Sequence, residues 1–223
     1  MTEDGCATRS EVECCAVKMA VIVKICGITN QPDAQAAVEA GADALGFVFC
    51  PSSPRCVSLE TAGRVSRDLP PLIVRVGVFV NAPDDLVVTA MQACRLNVLQ
   101  FHGDESPEYC LKFGLMSMKA FRVKDAASLK GVEEYPTDAW LLDAFAPDQA
   151  GGTGATFNWD LAREAQRHGR PIFLAGGLTP ENVADAIRKV QPFGVDVSSG
   201  VEASPGRKDH AKVKAFIAAA KSV

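Results

Sequence analysis

The sequence has no apolar run near the ~18 residues that a membrane-crossing helix needs, and no apolar core of a secretory leader. No membrane role is expected. It also lacks basic excess: 23 Lys and Arg stand against 27 Asp and Glu, a formal net charge of −4. There is thus no bulk positive field to draw nucleic acid or anionic lipid. Histidine is scarce, with three in 223 residues and none at metal-ligand spacing. The eight cysteines (Cys6, Cys14, Cys15, Cys26, Cys50, Cys56, Cys94 and Cys110) include no Cys-x-x-Cys pair, so a zinc site has no support. Scattered thiols in a chain of this size fit a reducing cytosol better than a disulfide framework.

What is present is ordinary for a globular protein: 48% hydrophobic and 22% charged residues. The length suits one large domain or two small ones. Residues 1–18 stand apart, being polar, aperiodic and acidic through Glu3, Asp4, Glu11 and Glu13. An Arg-rich, acid-poor transit peptide does not look like this. The segment reads as a flexible N-terminal extension or a start-site artefact.

From residue 19 onward, short apolar runs alternate with helical stretches. Strands are predicted at Val21–Cys26, Ala44–Phe49, Leu72–Val80, Asn97–Phe101, Leu115–Phe121, Ala139–Asp143, Pro171–Ala175 and Phe193–Ser198. Helices are predicted after each, over Asp33–Ala40, Leu59–Leu69, Asp85–Cys94, from Ser106-Pro107, weakly over Asp125–Glu133, and over Asn158–Arg167, Asn182–Val190 and Asp209–Lys221. Continuous apolar strands imply a sheet covered on both faces. Strict alternation implies parallel strands with helices outside. Eight units fit an α/β fold of one kind, a single closed (β/α)8 barrel over residues 19–223. The alternative, an open doubly wound sheet, usually has fewer strands and would want a Gly-x-Gly-x-x-Gly turn after the first strand; Gly27-Ile28-Thr29-Asn30 does not supply one.

In such a barrel the active site lies at the carboxyl ends of the strands. That assumption collects Cys26, Pro51–Arg55, Asn81, Gln100, His102, Arg122, Asp143, Gly176-Gly177 and Ser198-Ser199-Gly200. Gly176-Gly177 and Ser199-Gly200 follow strands seven and eight, where backbone N–H groups often hold a phosphate. The alternative is plain turn glycine. Gly151-Gly152-Thr153-Gly154 could approach an anion or act as a lid. Arg55, in a proline-stiffened loop, suits a carboxylate, or is a solvated surface arginine. Asp143 ends an apolar strand, where a carboxylate is costly unless paired or functional; a salt bridge to Lys24 is the plain alternative. His102 could bind substrate or bond locally, while His168 and His210 read as surface residues.

Lys24 and Cys26 share a strand face. A nearby ammonium favours thiolate, which is a competent proton acceptor; otherwise Cys26 is inert packing and Lys24 pairs with Asp196 or Asp143. Asp143 could supply the matching acid. The residues alone thus point to acid–base chemistry on a phosphorylated, carboxylate-bearing small molecule.

Nine ordered motifs carry a resemblance: Lys24-Ile25-Cys26-Gly27-Ile28-Thr29, Gly46-Phe47-Val48-Phe49, Ser53-Pro54-Arg55, Val76-Gly77-Val78-Phe79, Leu99-Gln100-Phe101-His102-Gly103, Leu141-Leu142-Asp143, Gly151-Gly152-Thr153-Gly154, Ala175-Gly176-Gly177-Leu178 and Val195 to Glu202. From Val21 to its end the chain resembles the phosphoribosylanthranilate isomerases of tryptophan biosynthesis. The resemblance implies an Amadori rearrangement with Asp143 as general acid and Cys26 as general base. It implies that Arg55 holds the anthranilate carboxylate and that the backbone at Gly176, Gly177, Ser199 and Gly200 holds the phosphate, with His102 and Gly154 as further substrate contacts. No metal or organic cofactor is implied, and the partner is the substrate alone, in a cytoplasmic monomer or homodimer. No linker or second domain is visible, so the chain is expected to act as a separate enzyme. A related lyase, indole-3-glycerol phosphate synthase, should need more strand-end acids and lysines and a longer amino-terminal helical segment; a non-catalytic phosphosugar-binding barrel would tolerate loss of Cys26 or Asp143. Two local departures bear on the site: Ala155 stands where relatives often carry a longer, basic residue, and Cys56 stands where an aromatic is common.

Overall fold

A computed structural model describes residues 20–144 and 159–223. Eight parallel strands close into a barrel in sequence order: β1 (Ile22–Cys26), β2 (Ala44–Val48), β3 (Val74–Phe79), β4 (Val98–Phe101), β5 (Met116–Val123), β6 (Ala139–Ala144), β7 (Ile172–Ala175) and β8 (Gly194–Val197). Closure is made by β1 pairing with β8, with Lys24 opposite Asp196. The helices are α1 (Gln31–Ala40), α2 (Leu59–Arg67), α3 (Asp84–Cys94), α4 (Pro107–Leu111), α5 (Trp159–Gln166), α6 (Val183–Val190) and α7 (His210–Lys221). The predicted closed (β/α)8 barrel is what the chain forms.

Local chemistry sets the helix starts. Asn30 caps α1 by accepting from the Asp33 N–H, Ser58 caps α2, and Asp209 caps α7 by accepting from the N–H groups of Ala211 and Lys212. Each cap satisfies donors that the first turn leaves open, for about 1 kcal/mol.

The predicted helix after β5 is corrected to two short 3₁₀ turns, Ala126–Leu129 and Val132–Glu134. Asp125 and Ser128 form a reciprocal cap that closes the first turn, and Gly131 at φ 80° breaks the chain before the second. The sequence prediction also lacked a small antiparallel hairpin, β9 (Glu202–Ser204) with β10 (Arg207–Lys208), which leads from β8 into α7.

Two packed layers result. Outward-facing strand residues such as Val23, Ile25, Leu45, Phe47, Leu99, Leu142 and Val195 meet the helices in the main core. Inward-facing Met118, Ala120, Ala139, Leu141, Phe173 and Ala175 fill the barrel itself. A β-carbon on Gly194 would collide with the Phe173 ring. One strand thus gives up its side chain so that its neighbour can fill the axis, as close packing requires.

Candidate active site

A cavity of about 310 Å³ opens at the carboxyl ends of the strands. Cys26, Arg55, His102, Asp143, Gly176, Gly177, Ser199 and Gly200 all line it. Eight of the predicted site residues therefore meet in one place. Gly154 lies outside the described residues, as do Ala155 and the extension 1–18.

Cys26 ends β1 on the barrel interior and is nearly fully buried. Its neighbour across β2 is Gly46, where a β-carbon would stand 2.8 Å from Cys26 Sγ and 3.1 Å from Lys24 Nζ. Glycine at this position is what leaves room for both side chains. Lys24 is fully buried and donates to Asp196 Oδ1 at 2.8 Å. Between the two partners foreseen for Lys24, the fold selects Asp196. Burial pushes the Cys26 thiol up; Lys24 pulls it down, and Asp196 pushes it up again, with a net rise. Lys24 thus favours thiolate, as expected, but does not set the net direction. Desolvation outweighs its pull because Cys26 is buried at the floor of the cavity, with little surface left to water. Lys24 itself is held above its ordinary value: burial lowers it, but Asp196 and the Cys26 thiol outweigh that.

At the barrel mouth, Asp143 is the penultimate residue of β6, opposite Arg122 of β5 and Ala175 of β7. Its side chain is about one-third exposed, and Oδ2 lies 3.2 Å from His102 Nε2. His102 Nδ1 is 3.0 Å from Gln100 Nε2. The backbone behind His102 is braced: Gly103 O accepts from Lys119 Nζ at 2.6 Å, and Gly103 N donates to Glu105 Oε2 at 2.9 Å. Asn81, another strand-end candidate, belongs to the same brace. It accepts from Asp104 N and donates its own N–H to Glu105. Arg122 is exposed and lines a neighbouring cavity with His102.

Arg55 is fixed by Glu202, donating from Nε to Oε1 at 2.8 Å and from Nη2 to Oε2 at 2.7 Å. It is thus not a solvated surface arginine. Among the described residues Nη1 has no hydrogen-bond partner, and Arg55 lines the cavity, so donors of its guanidinium remain available there. Lys208 Nζ, fully buried, donates to Glu202 Oε1 at 3.0 Å and to Ser198 O at 3.2 Å. Burial raises the Glu202 carboxyl, but Arg55 and Lys208 outweigh it and hold it below the ordinary range. The sequence reading missed Glu202 and Lys208. Arg55 and Glu202 are 147 residues apart, and no spacing rule joins them.

Gly176 and Gly177 both take positive φ, 77° and 68°, which side chains rarely adopt. Ser199–Val201 forms one 3₁₀ turn, and a β-carbon on Gly200 would run into the Leu178 carbonyl. The loops after β7 and β8 therefore touch backbone to backbone, and glycine is what permits it. Among the described residues no group of three or more His, Cys, Asp or Glu could hold a metal, and no helix is long and apolar enough to cross a membrane.

The arrangement is that of a (β/α)8 barrel whose carboxyl-end cavity is lined by a thiol, a carboxyl, a guanidinium and glycine-bearing loops. Comparison with known proteins sharpens the class. Residues 23–219 match the model of the N-(5'-phosphoribosyl)anthranilate (PRA) isomerase family. The enzyme of that name from Trichlorobacter lovleyi is 55% identical over 199 residues, covering 89% of this chain and 97% of the relative. That from Geotalea uraniireducens is 56% identical over 201 residues, covering 90% and 98%. The crystal structure of phosphoribosyl anthranilate isomerase from Thermotoga maritima superposes with a TM-score of 0.86 at 47% identity, over 91% of this chain and all of that one. The chain belongs to the N-(5'-phosphoribosyl)anthranilate isomerase family, enzymes of tryptophan biosynthesis.

Proposed function

We propose that the chain catalyses the Amadori rearrangement of N-(5-phosphoribosyl)anthranilate to 1-(2-carboxyphenylamino)-1-deoxyribulose 5-phosphate, by general acid–base catalysis and without a cofactor. Asp143 protonates the furanose ring oxygen, the C1–O bond breaks, and the nitrogen lone pair forms an iminium at C1. Cys26, as thiolate, takes the C2 proton, and those electrons give the enolamine. A proton returned to C1 and one lost from the C2 hydroxyl yield the ketone. The sequence is redox-neutral overall, so no external electron acceptor enters. Arg55 Nη1 takes the anthranilate carboxylate, and the loops at Gly176-Gly177 and Ser199-Gly200 take the phosphate. The observation that carries this reading is that Cys26 of β1 and Asp143 of β6 line one cavity with those loops. A related solved structure, 45% identical, holds reduced 1-(o-carboxyphenylamino)-1-deoxyribulose 5-phosphate, which supports the same ligand class here.

The test follows the fluorescence decay of phosphoribosylanthranilate with wild type, Cys26→Ser and Asp143→Asn. Asp143→Asn is expected to lose nearly all turnover while still binding a phosphate ligand. Unchanged turnover in both variants sinks the assignment. The reading also places the catalytic domain over residues 19–223 and the enzyme in the cytoplasm, in keeping with the five described cysteines all being free thiols. A related structure of 44% identity is described as a monomer form of a dimeric enzyme, which supports a homodimer of this chain. Sedimentation at two protein concentrations separates dimer from monomer.

A further inference from the structure

Gln100 belongs to no role described so far, yet it is almost completely buried on β4 and lines the cavity. Its Nε2 stands 3.0 Å from His102 Nδ1, and the far nitrogen of that ring stands 3.2 Å from Asp143 Oδ2. Its Oε1 is buried and has no partner among the described residues. The three side chains form one relay running from the strand to the carboxyl.

The chemistry of the groups fixes the direction of the relay. An amide nitrogen only donates, so the Nδ1 it meets must present a lone pair. A neutral imidazole carries one proton, which then sits on Nε2 and points at Asp143. A second proton on the ring would set Nδ1–H against the amide N–H₂, donor against donor. Without that block, His102 and Asp143 would compete for one proton, and an imidazolium beside a carboxylate leaves no acid to open the ring. Asp143 on β6, Arg122 and Lys119 on β5, Asp104 after His102 and Tyr135 share a cavity with this ring, as do Cys26, Cys50, Arg55 and Asp196 on the barrel-mouth side. Lys119 is already paired with Glu105 at 2.9 Å.

We propose that Gln100 is a positioning residue that holds His102 as the Nε2–H tautomer, so that His102 donates to Asp143 Oδ2 and the acid proton stays on the carboxyl oxygen His102 does not touch. The proposal rests on the acid role given to Asp143 above. On proton transfer to the substrate, the same Nε2–H is already in place to stabilise the new carboxylate, with no rotation of the ring.

Imidazole ¹H–¹⁵N correlation spectra of the labelled protein test this directly. Only three histidines contribute, and His102→Asn identifies the signal of interest. Wild type is expected to show a neutral His102 ring protonated at Nε2 at pH 7. In Gln100→Glu the new carboxylate accepts from Nδ1, so His102 is expected to hold two protons, with kcat down by about tenfold or more and KM little changed. Gln100→Met keeps the side-chain length without a donor and is expected to show both tautomers. A wild-type ring protonated at Nδ1, or a ring spectrum unmoved by either substitution, overturns the proposal. The spectrum is read without turnover, so inactivity of the wild type would overturn the acid assignment and not the tautomer.

Discussion

The two ends of the barrel interior are built from the same strands and differ in nearly everything else. At the amino end, a cavity of about 330 Å³ is walled by Ile22, Val74, Val98, Met116, Met118 and Phe173, with hardly a polar atom in reach. At the carboxyl end, the cavity of about 310 Å³ carries a thiol, a carboxyl, an imidazole, an amide and a guanidinium. Side chains two apart on a strand face the same way, so moving up one strand from Val98 to Gln100 to His102 crosses from one regime to the other. The Lys24–Asp196 pair is the seam, since Lys24 borders the lower cavity and Asp196 the upper. The contrast separates cohesion, carried below, from reactivity, carried above.

Substitutions at the two ends should therefore fail in different ways. The largest effect is expected from Asp143→Asn, with kcat down by roughly 10²–10⁴-fold, as loss of a positioned acid implies. Its melting midpoint should stay close to wild type, because the carboxyl is partly exposed; a collapse in stability would blur the division. Lys24→Met leaves Asp196 buried without its cation and is expected to cost about 3–5 kcal/mol in denaturant unfolding. Phe173→Ala empties the lower axis and is expected to cost about 3–5 kcal/mol while leaving kcat near wild type in the folded fraction. A large kcat loss there would show that the lower end also tunes chemistry. The pH dependence of kcat/KM sharpens the upper end. Because the fold favours the protonated thiol of Cys26, activity should rise as pH climbs through a value above the ordinary thiol range, and Cys26→Ser should abolish that limb. The smallest effect concerns Glu202, whose carboxyl is held low in the fold. Its contribution is full above the unfolded carboxyl range and is lost as pH falls through the lower folded value. Glu202→Gln should therefore flatten the acid side of the stability profile and cost about 1–3 kcal/mol at pH 7–8, where that contribution is full.

Much of this architecture was legible in the residues. The eight strands declare themselves as continuous apolar runs cut by Gly, Pro and Asn, and once they are counted the barrel places Cys26, His102 and Asp143 at one rim. The segment after β5 misled because Asp125, Ala126 and Ala127 look like the opening of a helix, whereas the local cap and Gly131 end it within a turn. The charge state of Cys26 misled for a deeper reason. Sequence offers Asp196 and Asp143 as partners for Lys24, but does not choose between them or show how deeply Cys26 and Lys24 are buried. Arg55 was read correctly as a cavity residue but not as one half of a fork with Glu202, since that pairing exists only after closure.

Closure itself has a consequence in time. Lys24 leaves the ribosome 172 residues ahead of Asp196. At about 5–20 residues per second, that interval lasts roughly 10–35 s. Throughout it β1 has no β8 to pair with, and the wall that shields Cys26 is incomplete. The Cys26 thiol, covered in the finished barrel, is thus among the described thiols exposed longest during synthesis, so an oxidant present then would reach it before the fold can cover it.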